Sequence, residues 1–465
     1  MTPFLPDRSI AKRFDAAADR YEHHAWAQRH AAEALAERIA ALALPAKPRI
    51  LEIGCGTGLL TRALARRLGP ADWTLSDIAP DMLRQARANL NLPARYLRMD
   101  GEHPAGLDGQ YDLICSSLAV QWFGDLNAGL ARLTRWLRPG GHLAIATLAQ
   151  ESFKEWHQAH AVLSLKAATP EYPPVADIRA GLLPGRVDSE QHVQSHHSGL
   201  AFLRGLKGIG ATAPRAGHQP LNTAQLRAVL RQFDRQGACV TYQFAYGQWR
   251  KPRGVFVTGT DTGVGKTLVS ALLTRAWQAD YWKPLQTGLA EESGDSATVA
   301  ALARLPPERL HAPAYALQAP LAPWAAASLE NTCIDATRLT LPETAAPLVV
   351  EGAGGLYVPI DERSLIIDLI DNLGLPVVLA ARSGLGTINH TLLSLEALRA
   401  RKLPVLGVIM SGPPSDDNRR AIEHFGRIPV LAQIPQLDVV DAQAVDLWSR
   451  QIPTLDSLLS SNASR

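Results

Sequence analysis

A chain of 465 residues that is 46% hydrophobic and 20% charged is long for one core and too apolar for a disordered scaffold, so two or three globular domains are expected. The formal net charge of +3 is too small to point to nucleic acid or to a membrane surface. The four cysteines, Cys55, Cys115, Cys239 and Cys333, stand far apart without a CxxC pair, which excludes a clustered-thiol zinc site and a secreted disulfide framework. Asp7, Arg8, Lys12, Arg13 and Asp15 interrupt any signal-peptide core, and no segment has the apolar length of a membrane helix. A reduced, cytoplasmic protein is expected.

Residues 48–53 read as an apolar strand that enters the glycine turn Gly54-Cys-Gly-Thr-Gly58, with a helix over 59–68. Residues 73–77 form the next strand, and Pro80 opens a helix with Met82, Leu83, Ala86 and Leu90 on one face. Strands over 111–115 and 142–147 follow, with a helix between them capped by Asp125 and running through Leu137. Residues 151–236 are rich in His, Pro and Gly and read as a lid or insertion, and 240–246 as a late strand closing the first domain. This sets a first domain at 1–249, a linker at 250–253 and a second domain at 254–465. The second domain has strands near Val255, Tyr281, Leu348, Val377, Val405 and Val430, and a small polar tail from Ser457 that is expected to be disordered. Alternation of strand and helix makes both domains α/β, with parallel sheets covered on both faces.

Two loops carry the chemistry. Residues 254–267 are an apolar strand, a glycine-rich turn and Lys266-Thr267 opening a helix. In such a loop Gly263, Val264 and Gly265 turn backbone N–H groups toward phosphate, Lys266 neutralises charge and Thr267 holds magnesium. In the first domain Glu52, Gly54, Gly56 and Gly58 have the spacing ExGxGxG, unlike the GxGxxG of dinucleotide binders. That pattern resembles the Rossmann-like S-adenosylmethionine-dependent methyltransferases. The resemblance implies that Asp77, ending the next strand, accepts the ribose hydroxyls and that Asp100 contacts adenine.

The segments Phe14-Asp-Ala-Ala-Ala-Asp-Arg-Tyr21, Ser117-Leu-Ala-Val-Gln-Trp122 and Leu203-Arg-Gly-Leu-Lys-Gly-Ile-Gly-Ala211 narrow the resemblance to malonyl-[acyl-carrier protein] O-methyltransferases. It implies esterification of a free malonyl carboxylate. A carboxylate is already the nucleophile at neutral pH, so the site must orient it and exclude water rather than supply a base. Arg204 or Lys207 is the candidate orienting cation, and Tyr21 and Gln28 either close over the cofactor or pack a helix. Arg62, Arg66 and Arg67 form an arginine face that either meets an acidic carrier protein or is solvated.

In the second half, Val257-Thr-Gly-Thr-Asp-Thr-Gly-Val-Gly-Lys-Thr267, Lys283-Pro-Leu-Gln-Thr-Gly288, Asp295, Val350-Glu-Gly-Ala-Gly-Gly-Leu356 and Gly384-Leu-Gly-Thr-Ile-Asn-His390 resemble dethiobiotin synthetases. The resemblance implies a P-loop NTPase-type domain in which ATP, Mg²⁺, CO₂ and a diamino acid (7,8-diaminopelargonate) meet to close a ureido ring. Thr267, Asp295 and Glu351 are then the metal ligands, Lys266 and Lys283 the charge-neutralising lysines, and Thr287 the contact to the substrate amine or carbamate. Gly352, Gly354 and Gly355 form a small wall for substrate. Asn389 binds its carboxylate tail across the interface of a homodimer. Ser411 stands where these proteins often have an asparagine that reads adenine, so nucleotide selectivity is expected to be looser. A methyltransferase acting on malonyl-CoA or a small molecule, fused to an ATP-dependent switch, is the alternative reading.

Overall fold

The computed structural model describes residues 8–181, 183–214 and 217–463; Asp7 and residues 464–465 of the tail lie outside these. One compact unit is formed by residues 8–181 and 185–251, and a second by residues 252–463.

The first unit is built on β1 (Arg49–Ile53), β2 (Asp72–Asp77), β3 (Ala94–Arg98), β4 (Tyr111–Ser117), β5 (Leu137–Leu148), β6 (Gly185–Ser195) and β7 (Cys239–Arg250). They form one sheet in the order β3-β2-β1-β4-β5-β7-β6, parallel except for β7, which is antiparallel to both its neighbours. Ile50, Leu51, Leu113, Ile114, Leu143 and Ile145 are fully buried, as near-continuous apolar strands covered on both faces require. The chain leaves β1 for β2 and β3 on one side and returns to β4 on the other. The sheet therefore opens at the carboxyl ends of β1 and β4.

Sequence pattern misjudged three places here. The helix after Asp125, whose carboxylate accepts the N–H of Ala128, stops at Thr134, and β5 already begins at Leu137. Residues 151–236 are not merely irregular, because β6 lies within them and pairs along its whole length with β7. Both β6 and β3 are edge strands with mostly half-buried or exposed side chains, and such strands lack the apolar run that marks interior ones.

The second unit contains β8 (Gly254–Gly259), β9 (Asp280–Trp282), β10 (Leu285–Gln286), β11 (Leu310–His311), β12 (Tyr315–Ala316), β13 (Leu348–Gly355), β14 (Val377–Arg382), β15 (Val405–Ser411) and β16 (Val430–Ile434). Seven of them form an all-parallel sheet in the order β11-β9-β13-β8-β14-β15-β16, and β10 pairs separately with β12. Every residue of β8 is buried, which places the phosphate-type loop at the end of a central strand. The tail expected to be disordered instead carries a helix, Leu455–Ala463, whose Leu455 and Leu458 join the core.

The expected linker is shorter than its composition suggests. Arg250 still pairs with His142 in β5, and Lys251 is 3% exposed with its ammonium donating to the Leu137 carbonyl at 3.0 Å. Burial pulls that ammonium down from 10.5 to about 8. Between those values the unfolded chain holds a proton that the folded chain has released, so stability rises with pH across that window. Lys251→Met is expected to remove this rise, measured as urea midpoints of the full chain at about pH 7.5 and about pH 9.5. A rise that persists unchanged in the variant would assign it to other groups.

Candidate active sites

In the first unit the turn after β1 brings Gly54 and Gly56 to φ of +64° and +53°. A Cβ on Gly54 would come within 2.2 Å of the Ala119 side chain, whereas one on Gly56 would meet nothing within 4 Å. The first glycine is therefore required by packing and the second leaves the backbone open to a ligand. Gly58, also at positive φ, caps the helix Leu59–Ala65.

Asp77, at the end of β2, lies across the turn. One carboxylate oxygen accepts the N–H of Gly56 and the other that of Ala79, both at 2.9 Å. Burial raises this carboxyl to about 6, and the backbone donors oppose that rise. Asp77 lines a cavity of about 320 Å³ together with Gly54, Gly56, Tyr21 and Asp100. Asp100 accepts the Glu102 N–H at 2.9 Å. Burial, then the charge of Asp77, holds the Tyr21 phenol above its usual range, so it remains a hydroxyl donor.

Aromatic side chains complete this wall and were missed as site residues. Phe14, Trp122 and Phe123 line the cavity, with the Phe14 and Trp122 rings edge-to-face at 5.8 Å. The signal was present, since Phe14 and Trp122 end or begin two of the segments that carried the family resemblance.

Two expectations need correction. Glu52 does not line the cavity: it is buried behind the turn and accepts the Thr61 hydroxyl at 2.6 Å, and burial raises it to about 8. Arg204 and Lys207 are exposed and absent from the cavity wall, because their helix buries Phe202 and Leu206 instead. Of the two residues with alternative readings, Tyr21 lines the cavity and Gln28 does not, which leaves Gln28 the helix-packing reading. The arginine face is neutralised within the unit, Arg62 by Glu22 at 2.6 Å and both Arg66 and Arg67 by Glu33.

In the second unit Gly265 has φ of +90°, and a Cβ there would lie 2.8 Å from the Ser411 hydroxyl. That hydroxyl donates to the Val264 carbonyl at 2.9 Å, so Ser411 braces the loop rather than facing an open adenine site. Gly263 has open space where a Cβ would stand. The Lys266 ammonium folds back onto the Asp261 carbonyl at 3.1 Å.

Behind the loop the predicted residues converge. The Thr267 hydroxyl lies 2.5 Å from Asp295 and 3.3 Å from Glu351, and the Lys283 ammonium lies 2.5 Å from Asp295 and 2.9 Å from Glu351. Burial alone would depress Lys283, but Glu351 and Asp295 raise it above its ordinary value. Asp295 is likewise held down, by Lys283, against the pull of burial. Among the described residues no cluster of three or more His, Cys, Asp or Glu forms a metal cage. The donor types nevertheless fit Mg²⁺: the Thr267 hydroxyl lies 2.5 Å from Asp295 and 3.3 Å from Glu351, which brackets the ~3 Å edge of an oxygen octahedron, and phosphate and water would supply the rest.

Two further residues hold this cluster and were not anticipated. Tyr281 donates to the second Glu351 oxygen at 2.9 Å; it stands two residues before Lys283, where strand periodicity directs both to one side. Gln286 accepts the Asp295 N–H at 3.1 Å and donates to the carbonyl of Thr287 at 2.9 Å, which ties half-buried Thr287 to the cluster. Of the glycine wall, only Gly355 reaches open space: it lines a cavity of about 730 Å³ with Thr260, Thr262 and His390. Gly352 abuts Phe256 and Gly354 abuts Val358, so both serve packing. Asn389 is exposed and sits beside His390 rather than in that wall.

A ligand whose hydroxyls are held by ionised Asp77 is expected to bind more weakly as pH falls through about 6. Asp77→Asn is expected to weaken S-adenosylmethionine binding about ten- to a hundredfold and to flatten that pH dependence, as read by titration calorimetry. Equal affinity of both proteins at both ends of the range would remove Asp77 from the site.

Comparison with known proteins agrees with this geometry. Residues 50–141 match the family described as a methyltransferase domain, and residues 253–444 the family described as an AAA domain. The second half is 58% identical over 193 residues to ATP-dependent dethiobiotin synthetase BioD of Paramagnetospirillum magneticum, covering 42% of this chain and 93% of that one. It is 47% identical over 210 residues to the BioD of Rhodopseudomonas palustris, covering 45% and 98%. Over all 465 residues the chain is 99% identical to the biotin biosynthesis bifunctional protein BioCD of Bordetella avium (strain 197N), covering 100% of both. A methyltransferase-type cavity and a phosphate-loop cluster in one polypeptide are what that likeness requires, and the chain belongs to the BioCD family of bifunctional biotin biosynthesis proteins.

Proposed function

We propose that the first unit methylates the free carboxylate of malonyl-acyl carrier protein and that the second closes the ureido ring of dethiobiotin from 7,8-diaminopelargonate, CO₂ and ATP. The chain is a bifunctional enzyme of biotin biosynthesis, with S-adenosylmethionine-dependent methyltransferase and ATP-dependent dethiobiotin synthetase activities. Residues 1–249 carry the first activity and 254–465 the second, with 250–253 joining them. The observation that carries the proposal is Lys283 held between Asp295 and Glu351 beside the Thr267 hydroxyl.

In the second unit Thr267, Asp295 and Glu351 would hold Mg²⁺, which supplies charge neutralisation for phosphoryl transfer when bound. Lys266 and Lys283 then face the transferred phosphoryl group, and Tyr281 fixes the Glu351 carboxylate. Thr287 and Gly355 border the diamino acid. In the first unit Asp77 and Asp100 orient the nucleoside while the aromatic wall excludes water. The acceptor carboxylate attacks the methyl carbon, the carbon–sulfur bond breaks, and its electron pair stays on sulfur. No proton moves, which suits a wall whose Tyr21 is held protonated. S-Adenosylmethionine and ATP are cytoplasmic metabolites, so a cytoplasmic location belongs to this reading.

Homodimerisation of the second unit is also part of it. Leu385 is 102% exposed, and Tyr357 and Leu393 are exposed around the segment that carries Asn389 and His390, an apolar surface unsuited to solvent. Leu385→Asp with Leu393→Asp is expected to halve the mass seen by light scattering and to lower ring closure at least about tenfold while leaving methyl transfer intact. An unchanged mass would discard the dimer.

The acceptor is tested by intact-mass spectrometry of malonyl-acyl carrier protein after incubation with the enzyme and S-adenosylmethionine. Gain of one methyl mass, removable by an esterase, is the expected result. No gain with cofactor binding intact would overturn the choice of acceptor and leave ring closure untouched.

A further inference from the structure

The helices Gly199–Gly208 and Thr223–Arg235 lie side by side on the core of the first unit. Phe202 and Phe233 stack at 5.7 Å, and Gly199 sits against Leu230 and Asp234. With Phe202 and Leu206 inward on one helix and Val229 and Phe233 inward on the other, the opposite faces turn to solvent together. Those faces carry Arg204 and Lys207 on the first helix and Arg227, Arg231 and Arg235, spaced by four, on the second; all five are exposed. Asp234 is the sole acid on either helix, and one of its oxygens is already engaged by the Gly199 N–H at 2.6 Å.

Unlike Arg62, Arg66 and Arg67, which their own unit neutralises, none of these five cations has a carboxylate partner among the described residues. An unpaired like-charged surface gains nothing for folding and attracts a partner of opposite charge. Leu200, 46% exposed on the same outward face, offers an apolar contact within it. Past the first helix, the chain at Gly208 and Gly210 packs against His24, Arg13 and Phe14, and Arg13 donates to the Thr212 carbonyl at 3.0 Å. Phe14 is itself part of the cavity wall. The basic surface is thus joined by direct contacts to the segment that encloses the methyl-transfer cavity.

We infer that this two-helix basic face is the docking surface for the acidic carrier protein that delivers the acceptor carboxylate. The inference rests on the reading of malonyl-acyl carrier protein as acceptor. Docking here separates recognition from chemistry: the surface holds the carrier, and the cavity meets only the short arm that the carrier extends. It also reassigns Arg204 and Lys207, which contribute to carrier affinity rather than to holding the malonyl group.

The test compares two acceptors on the full chain: malonyl-acyl carrier protein, and malonyl-pantetheine, which has neither the protein nor its phosphate. Arg227→Glu with Arg231→Glu is expected to lower kcat/KM for the carrier-bound acceptor at least about tenfold, mainly through KM, and to flatten its dependence on ionic strength. Turnover of malonyl-pantetheine is expected to stay within about twofold, which shows that the fold and cavity survive. The milder pair Arg231→Gln with Arg235→Gln is expected to give the same pattern at reduced size. Wild-type kinetics and salt dependence of the variants on the carrier protein would overturn the docking surface alone, as would equal losses on both acceptors. A wild-type enzyme that methylates malonyl-pantetheine but not the carrier-bound form would overturn the acceptor reading, and the surface with it.

Discussion

Parallel strands can be joined only through a crossover, and where crossovers from neighbouring strands depart in opposite directions nothing covers the strand ends between them. Both units are organised by that constraint. In the first sheet β1 stands between β2 and β4, and the chain visits one side before returning to the other. In the second, β8 stands between β13 and β14 in the same way. Each central strand ends in a glycine turn, and the left-handed backbone there lets N–H groups face the crevice instead of a side chain filling it.

Equivalent crevices are then used for opposite electrostatic purposes. The methyl-transfer cavity is lined by acids, Asp77 held by two backbone donors, Asp100, and Glu102 paired with Arg132, while Tyr21 keeps its proton and aromatic rings supply much of the rest. Acids of one sign suit a cationic methyl donor, and the rings beside them keep water away. The phosphate-loop site instead sets opposite charges side by side. Lys283 is 5% exposed between a carboxylate that is fully buried and one that is a third exposed, an arrangement stable only because the one ammonium compensates both carboxylates. The ion network ties the start of the helix after β8 to the end of β9 and to β13.

Much of this was legible in the sequence, and the reasons differ by element. Interior strands such as β1 and β8 announce themselves because burial on both faces demands an apolar run. Motif residues with fixed chemistry, Thr267, Lys283, Asp295 and Glu351, were found far apart in the chain and meet within hydrogen-bonding distance. What stayed hidden had weak local signals. β3 and β6 are polar edge strands, and Tyr281 marked only a strand because its hydroxyl partner is seventy residues away. Glu52 and the glycines Gly352 and Gly354 were over-read: spacing identifies a turn, yet only packing reveals whether its residues face a ligand or a neighbour. Arg204 and Lys207 illustrate the same limit, since a cation in a motif says nothing about which way its helix rolls.

Phe14 and Tyr21 wall a cavity whose floor is made by β1 and β2, and the segment bearing them is pinned by Arg13 to Thr212, 199 residues onward. That contact joins segments of great sequence separation, so the segment settles only once the chain around Thr212 has folded beside it. Until then the half-made pocket is open to water on that side. Enclosure of the cavity is thus a late event in the folding of this unit, set by a long-range contact rather than by the glycine turn itself.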